Sequence, residues 1–153
     1  MKKLTTIVFA TVGLLFSISL SQAQDYKHPY GLVSKEGKVT DPSGKQIGSI
    51  TSDGTIKDEA GTKIAQVGAD GNLVDSKTGK VIGHAPKNGT FIYYFDKNTS
   101  DTLTTSYPMN GTCEVKNSKG ETVVVVHENN KQNGACAYHC LAMHKKKQHM
   151  KMK

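Results

Sequence analysis

Residues 37–82 read GKVTDPSGKQIGSITSDGTIKDEAGTKIAQVGADGNLVDSKTGKVI, and a short grammar repeats along them. Gly37, Gly54 and Gly71 stand 17 residues apart, Gly89 follows after 18 and Gly111 after 22. They are preceded by Glu36, Asp53, Asp70, Asn88 and Asn110. Acid–Gly and amide–Gly pairs favour tight hairpin turns, because such turns need positive φ and Gly supplies it at little cost. Within each unit an apolar residue comes two places before a second turn: Val39 before Asp41, Ile56 before Asp58, Leu73 before Asp75. Gly44, Gly61 and Gly79 close that turn, and Ile47, Ile64 and Val81-Ile82 resume the apolar pattern. Val115, Asn117, Gly120 and Val123 repeat the spacing, and Phe95-Asp96 with Leu103 carries a degenerate copy.

This pattern predicts an all-β domain over residues 24–127, with about five short hairpin units near 37–53, 54–70, 71–88, 89–110 and 111–127. A single hairpin is marginal in water, so the units must share one core. Single apolar positions between polar ones suit strands wet on one face. Val123-Val124-Val125-Val126 instead predicts a strand covered on both faces. Asp41, Asp58 and Asp75 fit residues that cap their own turns, since neither the EF-hand loop nor the Gly-rich calcium nonapeptide is present.

As an array, Gly37-Lys38-Val39-Thr40-Asp41-Pro42-Ser43-Gly44 and its echoes resemble the small exported bacterial proteins catalogued as five-fold β-flower proteins. The likeness covers roughly residues 30–127 and implies an architecture; it implies no activity for any named residue.

Outside the repeat, the N-terminus has the three parts of a secretory leader. Lys2 and Lys3 precede an apolar stretch from Ile7 to Leu20, and Ser21-Gln22-Ala23 offers a small-x-small cleavage site. Residues 1–23 are therefore expected to be removed, giving an exported, periplasmic or extracellular chain with no transmembrane span after processing. From residue 24 to residue 140, 13 Lys balance 13 Asp and Glu. The excess positive charge belongs to Lys145, Lys146, Lys147, Lys151 and Lys153. The chain has no Arg, the residue suited to bidentate grip on phosphate, which argues against specific nucleic-acid reading. The lysine-rich end predicts salt-sensitive attraction to anionic envelope components.

The C-terminal region, 128–147, predicts a short helix from Ala135 to about Lys147, packed on the sheet through Ala135, Tyr138, Leu141 and Ala142, with residues 148–153 as a disordered basic tail. Cys136, Cys140 and His144 fall on one helical stripe, His139 and Met143 lie beside it, and Cys113 sits in the fifth unit. In an oxidising compartment Cys113 is expected to pair with Cys136 or Cys140, a staple worth about 3 kcal/mol. The alternative is a copper or zinc site built from Cys113, Cys136, Cys140, His144 and Met143, with His149, Met150 and Met152 beyond it.

No catalytic signature stands out. A Cys–His pair from Cys140 with His127 or His84 is possible on paper, as it would be in any chain with three Cys and six His. The expectation is thus a non-catalytic exported β-repeat protein, a binding or envelope-structural module without a cofactor, and as the alternative a periplasmic copper or zinc protein.

Overall fold

A computed structural model describes residues 29–95 and 98–152. The leader, its cleavage site and Lys153 lie outside the described residues. Eleven strands close into one barrel: β1 (Gly31–Val33), β2 (Lys38–Thr40), β3 (Gln46–Ile50), β4 (Thr55–Asp58), β5 (Lys63–Val67), β6 (Asn72–Asp75), β7 (Val81–His84), β8 (Phe91–Tyr94), β9 (Ser100–Thr105), β10 (Thr112–Lys116) and β11 (Thr122–His127). Neighbours in sequence pair antiparallel from β1 round to β11. The seam is parallel, with Leu32 opposite Val125 across β1 and β11. Closure removes the free edges that such short strands would otherwise expose.

The two sets of turns define two rims. At one, Gly54 has φ 83° and its N–H bonds the Thr51 carbonyl at 2.9 Å, while its own carbonyl accepts from Val67 N–H at 2.9 Å. A Cβ there would sit 2.5 Å from the Val67 oxygen, so a side chain is excluded by contact as well as by φ. Gly37 with Ile50 and Gly71 with Ala85 repeat the link. At the other rim the periodic Asp residues cap their turns as expected. Asp41 accepts from Ser43 N–H (3.0 Å) and Lys45 N–H (3.1 Å), Asp58 from Ala60 N–H (3.0 Å) and Thr62 N–H (2.8 Å), and Asp75 from Lys77 N–H (3.0 Å) and Thr78 N–H (2.7 Å).

After β11 the chain makes a 3-10 turn, Glu128–Asn130, and crosses the glycine rim. Asn130 Nδ2 donates to the Ser34 carbonyl at 2.8 Å and Gln132 Nε2 to the Ala85 carbonyl at 3.0 Å, which ties the crossing to both sides of the mouth. Helix α1 (Gly134–Lys151) then begins. Its first turn is buried all round, at Gly134, Ala135, Cys136 and Ala137, and Cys140 and Leu141 are buried further along. It touches β1, β2, β3, β8 and β11. Because β3 and β8 face each other across the barrel, a helix that meets both runs near its axis.

The sequence expectation of a helix lying on the sheet is corrected accordingly. Small residues make the room: a Cβ at Gly31 would overlap the Tyr138 ring, and one at Gly48 would lie 2.5 Å from Leu141 Cδ2. The helix also continues to Lys151 rather than ending near Lys147, so residues 148–151 are ordered helix and not a disordered tail. No Pro or Gly follows Gly134, and Lys, Gln and Met are good helix formers.

In β11, Val124 and Val126 are fully buried against the core, whereas Val123 and Val125 are half-buried on the outside. The strand is fully covered on its inner face and only partly on the other, where Val123 still packs against the core. The core joins both parts: Val39, Ile50, Ile56, Leu73, Phe91, Val115, Val124 and Leu141 are at most 1% exposed.

Candidate functional site

The helix leaves the barrel through the Asp rim, and there its basic side chains meet the turns. Lys145 Nζ contacts Asp41 Oδ2 at 2.8 Å, His144 Nε2 lies 3.7 Å from Asp58 Oδ2, and Lys147 acts on Asp75 through its charge. Three successive turns of the repeat thus present their capping carboxylates to one helix. Sequence reading found each Asp and each basic residue, but not their meeting, because a period of 17 residues does not reveal that the barrel closes around the helix.

Burial alone would raise the Asp41 carboxyl. The hydrogen bonds from Lys145 and Ser43, the Lys145 charge and the Lys45 N–H outweigh it and hold the group down to about 2. A carboxylate with a depressed pKa stabilises the fold above its ordinary value of 3.8 and stops doing so as pH falls through its folded value. The urea midpoint of the protein is therefore expected to fall as the pH is lowered from 3.8 to about 2. In Asp41→Asn that part of the decline is expected to be missing, and a decline equal to wild type would show that Asp41 does not couple to the helix.

The cysteines do not form the expected staple. All three are free and buried. Cys113 lies opposite Val126 in the β10–β11 ladder and feels Lys131 and Glu128 of the segment that crosses the glycine rim. Cys140 instead feels Asp75 and Lys147 at the Asp rim. Cys136 donates its thiol to the Asn133 carbonyl at 2.9 Å. Cys136 and Cys140 are one helical turn apart, where their Cβ vectors cannot face each other for a bond.

Burial pushes the Cys140 thiol up to about 12, with Asp75 adding to the rise and Lys147 opposing it. Burial, then Cys140, raises Cys136 well above its ordinary value, and burial raises Cys113. A Cys–His nucleophile on Cys140 is thus poorly served, since the thiolate is the reactive form. His139, packed on the rings of Phe91 and Tyr93, is held neutral by burial, and its Nε2 has no hydrogen-bond partner.

The five-residue metal set is not assembled either. Among the described residues no three His, Cys, Asp or Glu side chains gather to hold an ion. Part of that set does share a space: Cys140, Met143 and His144 line a cavity of about 90 Å³ with Asp75, Tyr93 and Lys147.

A larger groove, about 580 Å³, opens where the helix projects past β5 and the β6–β7 turn. Lys63, Lys77, Lys147 and Lys151 line it, and Asp75 is its acidic residue. Ile64 and Met150 add apolar surface, and Met150 is 64% exposed. The lysine-rich end predicted from sequence is therefore divided: Lys145 is engaged with Asp41, Lys146 is exposed, and Lys147 and Lys151 face the groove. Lys63 and Lys77 were missed, because nothing in the linear pattern separates them from other strand and turn lysines.

No helix among the described residues is long and apolar enough to cross a membrane. A family model described as a protein of unknown function (DUF3659) matches residues 31–87, the span from β1 through β7 that carries the three Asp turns. Neither a curated protein nor a solved structure matches the chain.

Proposed function

We propose that this is an exported, non-catalytic β-hairpin repeat protein whose projecting helix binds anionic components of the cell envelope. The export reading rests on the leader. The repeat reading takes β2–β3, β4–β5, β6–β7, β8–β9 and β10–β11 as the five hairpin units, with β1 closing the ring, in keeping with the likeness to five-fold β-flower proteins. A non-catalytic role is supported by the occupied interior, where the protein's own helix takes the space in which a barrel would hold a substrate, and by thiols held protonated.

The observation that carries the binding reading is the groove with four lysines beside exposed Met150. Lysines lining a partly apolar groove suit an anion attached to an apolar body, such as an acidic lipid. Each lysine near an anionic surface is worth about 1 kcal/mol and is weakened by salt.

The mature protein is expected to sediment with phosphatidylglycerol-containing vesicles, not with pure phosphatidylcholine, and to be released by high salt. The double variant Lys147→Ala and Lys151→Ala is expected to bind on the order of tenfold or more weakly. Equal binding to neutral vesicles, or an unchanged double variant, would remove the reading.

A further inference from the structure

We propose that Cys140, Met143 and His144 form a copper(I) site at the mouth of the barrel. The three side chains come from successive positions, i, i+3 and i+4, on one face of α1, and they line the same cavity of about 90 Å³. That spacing brings side chains together on a helix without help from another element. A thiolate, a thioether and an imidazole are the soft donors that select copper(I), which is stable with few ligands, over zinc, which takes four.

The surroundings support the assignment. Cys140 is 7% exposed, so its sulfur is shielded while the cavity stays open toward the rim. The charges of Asp75 and Lys147, both lining residues, act on the Cys140 thiol, which places it on the cavity side. His144 Nε2 is 3.7 Å from Asp58 Oδ2 and 2.8 Å from Gln148 Nε2. Both contacts fall on Nε2, so the ion would take the ring's other nitrogen, Nδ1. Cys136 takes no part, since its thiol bonds the Asn133 carbonyl, and Cys113 lies in β10 beside the crossing segment. Binding exchanges one copper(I) ion for the Cys140 thiol proton, which leaves through the cavity mouth to water. No electron transfer is involved.

The site is independent of the anion-binding reading, and its test does not use lipid. The reduced mature protein is titrated anaerobically with copper(I) against the chromophoric chelator bicinchoninate. Wild type is expected to withdraw one equivalent, and X-ray absorption of the product to show sulfur and nitrogen neighbours. Cys140→Ser is expected to abolish withdrawal, and Met143→Leu, a shape-conserving change, to weaken it at least tenfold. Cys113→Ala, outside the site, is expected to match wild type and guards against a nonspecific thiol effect. Failure of wild type to compete would overturn the site. So would full competition by folded Cys140→Ser or Met143→Leu, or a spectrum with nitrogen neighbours only.

Discussion

Gly48→Val is expected to lower stability by about 3–5 kcal/mol, because it combines overpacking with displacement of a core side chain. Gly48 lies on the inner face of β3, opposite Asp58 of β4. A Cβ there would lie 2.5 and 2.8 Å from the two terminal methyls of Leu141, and it would also meet the Lys57 carbonyl. Leu141 is 1% exposed and has no free side to retreat to. The change should appear in urea unfolding as a lower midpoint. The helical circular dichroism signal should fall as well, because the helix is the more movable partner. Leu141→Ala alone should cost about 2–5 kcal/mol by leaving a cavity. The double variant should cost less than the sum of the two, because each change relieves the other. Strict additivity would mean that β3 and the helix do not share this contact.

The second large effect concerns the helix as a whole. A chain ending at Gln132 is expected to have no cooperative urea transition and to bind hydrophobic dyes. The helix supplies Ala135, Cys136, Ala137, Cys140 and Leu141 to the core, and it covers Gly31, Gly48 and Val126 from inside. Burying one large aliphatic side chain is worth about 1.5–3 kcal/mol, against a total stability of about 5–15 kcal/mol for a typical domain. Removing one Leu, two Cys and two Ala together, and wetting the apolar face behind them, uses up most of that margin. A truncated chain that kept a sharp transition and a full strand signal would show that the hairpins hold together without the helix.

Much of the barrel was legible because turn chemistry is local. Asp-Gly and Asn-Gly mark their turns wherever they stand, and single apolar residues at Val39, Ile56 and Leu73 announce inward-facing strand positions. What the linear pattern could not carry was the third dimension of that core. Ala135, Cys136 and Ala137 are small and only weakly apolar, so they give no signal that all sides of a turn are enclosed. The complementary signal lay elsewhere in the chain, at Gly31 and Gly48, glycines outside the turn positions. The staple expected from the cysteines failed for a related reason. The axial helix carries Cys140 to the Asp rim beside Asp75 and turns the Cys136 thiol onto the Asn133 carbonyl, whereas Cys113 stays beside Lys131 and Glu128. The charge at the C-terminus was read as a solvated run, yet Lys145 and His144 are set against Asp41 and Asp58.

The parallel seam between β1 and β11 has a consequence for folding order. Leu32 and Val125 are partners although they stand 93 positions apart, so the ring cannot seal until the chain through β11 is present. Local hairpins can form early, whereas the seam must wait for a search over long sequence separation, which is slow. The axial segment comes later still in the chain, and it must be in place before the wall locks around it. Intermediates should therefore be open arcs of paired strands with a wet inner surface, and the last event should draw β1 and β11 together.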